Sequence, residues 1–423
     1  GRVLELTPPE DESRVAIVNN LAASIYKQGE RARAAGDHRE AADQFLRIAT
    51  AAPESEIRPV AAYDAGAALV ALEDWGAAAT VFETFRETFP QHELASEATR
   101  QIALVYRSDE QPARAAEEYE RVANEADEPT LRSESLLVAS QLYQEARQPE
   151  RAISVLETFT REFPSPLEPA VAARFELAEL HGEIGAGDAR RAELRAIVDL
   201  DRRAGAERSD VVRVLAARAA LALAEDDYTR FTEIRLTLPF ERSLEQKKRS
   251  MRLTLDSMGR LIDYEVGEVT AAATYYMAEV YDDFSRSLLE SERPADLTED
   301  ELLQYELVLE EEAYPFEEKA IVVHEKNLEL MSSGVFNRWI EKSIGELAVA
   351  MPGRYAKFES STGLLTSPRS YSYVAPSAPA PPLPESIAAV PADPSEEDAV
   401  ATSHEDVTDE SATASTEAPE EDT

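Results

Sequence analysis

Cysteine is absent from all 423 residues, which excludes disulfides and thiolate metal sites and leaves the redox compartment unread. No apolar run approaches the roughly 18 to 20 residues that a membrane span needs. Positive charge is scarce as well. Lys and Arg number 43 against 83 Asp and Glu, a formal charge of −40, and the stretch from Ser361 onward carries about −12 of it. Both parts of so acidic a chain should repel phosphate backbones and anionic lipid. With no basic stripe interleaved with aromatics, neither DNA nor RNA is an expected partner. Solubility alone explains the excess of acid, and a basic partner face is the sharper alternative. The chain starts at Gly1 rather than at methionine, which leaves room for a leader, anchor or tag ahead of it.

Constellations that carry chemistry are missing too. His38, His92, His181, His324 and His404 are scattered, none with a second His or Cys at ligand spacing. "HEKNL" at 324 opens like a zinc-protease helix but lacks the second histidine four residues on, and both imidazoles are needed to hold the metal. Gly185-Ala186-Gly187 opens like a dinucleotide fingerprint, yet Arg190 stands at the third glycine position and no strand precedes it. A turn between helices explains it. Neither a Gly-x-Ser-x-Gly elbow nor a phosphate loop occurs. Carboxylates are so abundant that "ELLQYELVLEEE" reads as a solvated helix face, not as an acid/base dyad. No cofactor and no metal are expected, and an enzyme with its site in 240–360 is the remote alternative.

What the chain does have is a repeat. "DHREAADQFLRIATAAPES" from 37, "DWGAAATVFETFRETFPQHE" from 74, "QPARAAEEYERVANEADEP" from 111 and "QPERAISVLETFTREFPSP" from 148 align on Ala41/Phe45, Ala78/Phe82, Ala115/Tyr119 and Ala152/Leu156, a period of 37 residues. Each follows a second amphipathic segment, beginning near Ala22, Val60, Ser96 and Ser133, with turn signals between. Gly29, Gly66, Ala103 and Ser140 recur at the same period, and small residues let two antiparallel helices approach closely. Pro53, Pro90 and Pro164 stop second helices, since proline lacks the N–H and clashes one turn back; Asp127 stands there in the third unit, where the stop should be weaker.

On these residues, 22 to 166 resembles the tetratricopeptide repeat family, whose consensus is three residues shorter per unit. The resemblance implies an all-α fold: a right-handed α-solenoid of antiparallel helix pairs whose first helices line a groove for a protein partner. Carried across unit by unit, the family's groove positions fall on Tyr26, Glu30 and Arg33, on Tyr63 and Val70, on Arg100, Leu104 and Arg107, and on Leu137, Gln141 and Gln144. Tyr and Arg suit binding hot spots, though ordinary solvated surface or inter-repeat packing is the plain alternative for each. Chaperone-binding members clamp a peptide carboxylate with a Lys and an Asn in the first repeat. Tyr26 and Glu30 stand there here, which does not support that activity. Arg100 and Arg107, two turns apart, suit a carboxylate-bearing segment unless they pair with Glu97 or other neighbouring acids.

The expected organisation is 1–21 as lead-in and first helix, 22–168 as four repeats, and 169–239 as two degenerate repeats. A long-helix region follows at 240–360, then a disordered tail at 361–423, Pro-rich at first and acidic later. In the fourth part, apolar residues step by three or four from Met251 to Leu288, reading as one long helix or two collinear ones that break at Gly259 or Gly267. These helices are the candidate seam for self-association. Thr298 and Glu301 form a capping-box spacing, and a last pair is expected from Tyr314 to Pro352. That pair, through "MPGRYAKFE", is similar to the end of bacterial envelope proteins of biopolymer-transport or gliding machineries. The expectation is therefore a non-catalytic interaction scaffold, in the bacterial periplasm or envelope or else in the cytoplasm.

Overall fold

The computed structural model describes residues 13–356; the expected disordered tail lies outside the described residues, as do residues 1–12. Among the described residues there are sixteen α-helices and no strand. The first eight form four pairs: α1 (Ser13–Ala34) with α2 (His38–Ala51), α3 (Arg58–Ala71) with α4 (Trp75–Thr88), α5 (Ala95–Ser108) with α6 (Pro112–Glu125), and α7 (Pro129–Glu145) with α8 (Pro149–Glu162). Each helix packs on the ones before and after it, and the successive first helices α1 and α3 also touch. This is an α-solenoid. The lead-in and the first helix of the first repeat are one continuous helix, α1.

The four second helices are all 14 residues long and end 37 residues apart. The third ends in register although it has Asp127 and no proline there. Its replacement device is Arg132, whose Nη1 donates to the Ala123 carbonyl at 2.6 Å, satisfying one of the acceptors that a helix end leaves open. The turns inside the pairs also recur at 37 residues, with Gly36, Glu73, Glu110 and Arg147 all in the left-handed region. Only the first is glycine; the other three hold a conformation that disfavours a side chain.

The small-residue series sits where helices touch. A Cβ added at Gly66 would lie 2.6 Å from the Phe82 ring, and one at Gly29 would lie 2.5 Å from Phe45. Ala103 and Ser140, the next two of the series, are fully buried. One core therefore runs from Val18 to Leu180 through all four pairs.

Beyond it, α9 (Leu167–Glu183) and α10 (Gly187–Arg203) make a fifth pair. The next stretch departs from the sequence expectation, because α11 (Asp210–Thr232) is a single helix of 23 residues and not a repeat pair. Its antiparallel partner is α12 (Phe240–Gly259), on the far side of Pro239: Lys247 reaches the Phe231 carbonyl and Thr254 the Asp227 carbonyl. The 169–239 segment thus holds one pair and half of the next. Nor are the helices after Pro239 collinear. The chain reverses between Gly259 and Gly267, and α13 (Gly267–Leu289) lies back along α12, with Met251 beside Val280 and Phe284 and Met258 beside Val269 and Ala273. Most of the stripe offered for self-association is buried inside the chain, with Ile262 left exposed.

Helix α14 (Glu299–Glu329) begins at the Thr298/Glu301 capping box and runs 31 residues, straight through Pro315. The last pair does not start at Tyr314. Packing on both sides of the proline outweighs its cost of about 3 kcal/mol: Ala313 is buried and Phe316 meets Phe284 at 4.6 Å, the rings tilted by 54°. Then α15 (Arg338–Ala350), capped by Asn337, and the single turn α16 (Pro352–Tyr355) close the described chain.

Candidate binding surface

The first helices are tied to one another along one face. The Tyr26 hydroxyl of α1 donates to Asp64 of α3, and Arg33 Nη1 stands 3.4 Å from the same carboxylate. Burial first, then Asp64, pushes the Tyr26 phenol far above its ordinary range, so it stays a donor. Tyr63 meets Phe82 edge-on at 5.3 Å, and burial with Glu97 of α5 nearby raises its phenol too. Gln144 of α7 donates to Glu176 of α9.

Of the expected groove positions, Tyr26, Tyr63, Val70, Arg100, Leu137 and Gln144 are half-buried, whereas Glu30, Arg33, Leu104, Arg107 and Gln141 are exposed. The two arginines expected as anchors differ. Arg100 Nε donates to Glu97 at 2.7 Å, one turn back on its own helix, so its fork is already engaged. Arg107 has no ion pair among the described residues, and Leu104, one turn before it, is 47% exposed. Glu97 pairs with Arg100 as the plainer sequence alternative had it, whereas Asp64 and Glu176 belong to this face and were not singled out from the sequence. The only signal of these two is position, roughly one repeat after Tyr26 and Gln144, and a chain with 83 acids hides it.

A second cluster lies where α13, α14 and α15 meet. His324 Nδ1 is 3.1 Å from Ser343 Oγ, and His324 Nε2 is 3.6 Å from Glu279 Oε1. The trio imitates a nucleophile, base and orienting acid. Ser343, however, is fully buried and already accepts from Asn327 Nδ2 at 2.8 Å, so no substrate carbonyl can reach it. Asn327 Nδ2 also stands 3.1 Å from the Ala271 carbonyl, making the network a brace between three helices.

The His324–Glu279 contact is not an ion pair. Burial lowers the imidazole to about 4, and burial, with Glu346 and Asp282 adding repulsion, raises the Glu279 carboxyl to about 7. Glu279 thus binds its proton more tightly folded than unfolded, so its contribution is full below its ordinary 4.5 and is lost as pH rises through about 7. His324 acts oppositely, its contribution being full above 6.5 and lost as pH falls through about 4. Between the two ordinary values the slopes oppose, so the difference between chains is the clean readout. Glu279→Gln should match the parent at pH 4.5 in chemical denaturation and gain stability over it as pH rises through about 7. A gain that does not change with pH would show that Glu279 does not titrate in this window.

No family model matches the chain, and no curated protein matches it. Solved structures do resemble it, among them a tetratricopeptide repeat protein from Parabacteroides merdae, with 10% identity, 68% of this chain and 98% of that one covered and a TM-score of 0.29. The TPR2AB domain of yeast Sti1 in complex with pHSP90 has 14% identity, covers 63% and 99%, and has a TM-score of 0.23. A MamA RS-1 ArsTM double mutant has 19% identity, covers 43% and 95%, and has a TM-score of 0.27. Likeness at these scores carries no inference about binding, and the fold rests on the helix pairing described above.

Proposed function

We propose that this protein is a non-catalytic scaffold holding a segment of another protein along the face of its first helices. The observation that supports this most is the row itself. Side-chain ties join α1 to α3 through Tyr26–Asp64 and α7 to α9 through Gln144–Glu176, and between them Leu104, Arg107 and Gln141 stand exposed. Ties of this kind restrict the motion of the face, which lowers the ordering cost of binding an extended segment. Arg33 and Arg100 are engaged by Asp64 and Glu97, leaving Arg107 to fork onto a carboxylate, with Leu104 for an apolar contact.

Panning a displayed random-peptide library against the full chain should enrich carboxylate-bearing peptides. Their affinity should fall about tenfold or more in Arg107→Ala, in line with the loss of a hot spot, while the melting temperature stays put. Arg107→Lys should recover only part, because an ammonium lacks the fork. Enriched peptides that bind Arg107→Ala as well as the parent would move the site off this face. The envelope placement is part of the same proposal, supported by the resemblance of the C-terminal helices. Recovery in the cytoplasmic fraction alone would overturn it.

A further inference from the structure

We propose that the N-terminal half of α14 is a second docking face, and that its occupant is a basic amphipathic helix of a partner protein. The face is uncovered at both ends. Asn327 on Ala271, His324 beside Glu279 and Phe316 on Phe284 set α13 and α14 antiparallel, and that register, continued, brings the last residue of α13, Leu289, about level with Glu311. The first two turns of α14 therefore run past its partner, touched by Arg293 of the preceding segment, which lies over the Tyr305 ring and 3.9 Å from Glu306. At the other end α15 covers α14 only near His324 and Asn327 and finishes at Ala350, beside Ala320.

Along this free length α14 is apolar on two sides. On one side Leu309 is buried, and Ala313 and Phe316 pack with Phe284 of α13 in the chain's core. The other carries Leu303, Leu307 and Tyr314, which are 59%, 56% and 58% exposed. Their spacing of four and seven residues is that of a helix–helix seam, and the position seven further on is Ile321, which lines the cleft between α14 and α15. Stripe and cleft are thus continuous. A helix with a second apolar stripe needs a second cover.

Charge selects the occupant. From 299 to 312 there are seven acids and no Lys or Arg. A second copy of this helix would set acids against acids in either direction, and the acidic segment after 361 meets the same repulsion. The cleft at the end of the stripe, about 280 Å³, is lined by Asp282, Glu317 and Glu346, of which Asp282 already pairs with Arg286, and by Ala320, Ile321 and Leu347. Apolar residues beside carboxylates suit the stem and head of a lysine or arginine. A partner helix with apolar residues at seam spacing and flanking Lys or Arg satisfies all three features.

The test uses the full chain and a fluorescein-labelled peptide of about 18 residues, long enough to form a helix, built of leucine and lysine in amphipathic order. The same composition in scrambled order and a leucine–glutamate peptide serve as controls. By anisotropy the ordered basic peptide should bind best, and Leu303→Gln with Leu307→Gln should weaken it about tenfold or more without changing helical circular dichroism. Glu310→Gln with Glu311→Gln should weaken it less, and chiefly at low salt. Equal binding of the scrambled peptide, or indifference to the leucine pair, overturns the proposal. Two other outcomes would overturn the occupant: light scattering that shows a dimer lost in the leucine variant, or a gain in peptide affinity when residues 358–423 are removed.

Discussion

Asp283→Ala should lower the unfolding free energy by about 3 to 5 kcal/mol, the usual result of leaving a buried charge without its partner. The charge is Lys247. Its side chain is 0% exposed, and its Nζ lies 2.6 Å from Asp283 and 3.1 Å from the Phe231 carbonyl, over the Phe231 ring at 4.2 Å. A carbonyl and a ring face attract an ammonium but do not neutralise it. The contact joins three helices, since Phe231 is on α11, Lys247 on α12 and Asp283 on α13. Local opening should therefore follow, with amides of α12 exchanging faster than those of α3 to α8. Replacing both partners, Lys247→Met with Asp283→Leu, should recover most of the loss, because an apolar pair of similar volume needs no compensation. Urea denaturation of the three chains decides it. A single variant within about 1 kcal/mol of the parent would mean that the ammonium finds water.

Phe82→Ala should cost about 3 to 5 kcal/mol as well, as the loss of a large core aromatic does. The ring is fully buried and fills the space that Gly66 leaves. The reverse change is the sharper test. Gly66→Ala improves helix propensity by about 1 kcal/mol, yet it should destabilise, because the new Cβ would enter the Phe82 ring at 2.6 Å. In the double variant Gly66→Ala with Phe82→Leu, the clash has gone, and the two changes should cost less together than their sum. Ala78→Leu should overpack the same crossing at about 1 to 3 kcal/mol. Additivity in the Gly66/Phe82 cycle would mean that the two do not touch.

In 22 to 166 the period of 37, the helix pairing and the role of Gly29 and Gly66 were legible in the sequence alone. There each unit repeats the same local problem: a small residue opposite a large one, a turn, and a helix stop. Repetition makes a weak local signal strong, and nearest-neighbour packing keeps its meaning local. After the fifth pair, which ends at Arg203, the sequence still showed helices, but it misplaced their partners. It divided α11, expected α12 and α13 to continue in line, and started a helix at Tyr314. Periodicity reports which residues of a helix face inward, not which helix they face. Only the tertiary structure decided that α11 pairs across Pro239 and that Lys247 needs Asp283. The same limit governs the surface. The groove positions could be numbered from the period, but whether an arginine there is free depends on a carboxylate one turn or one repeat away. In so acidic a chain such a partner is always near in sequence, and only coordinates distinguish Arg100, held by Glu97, from Arg107.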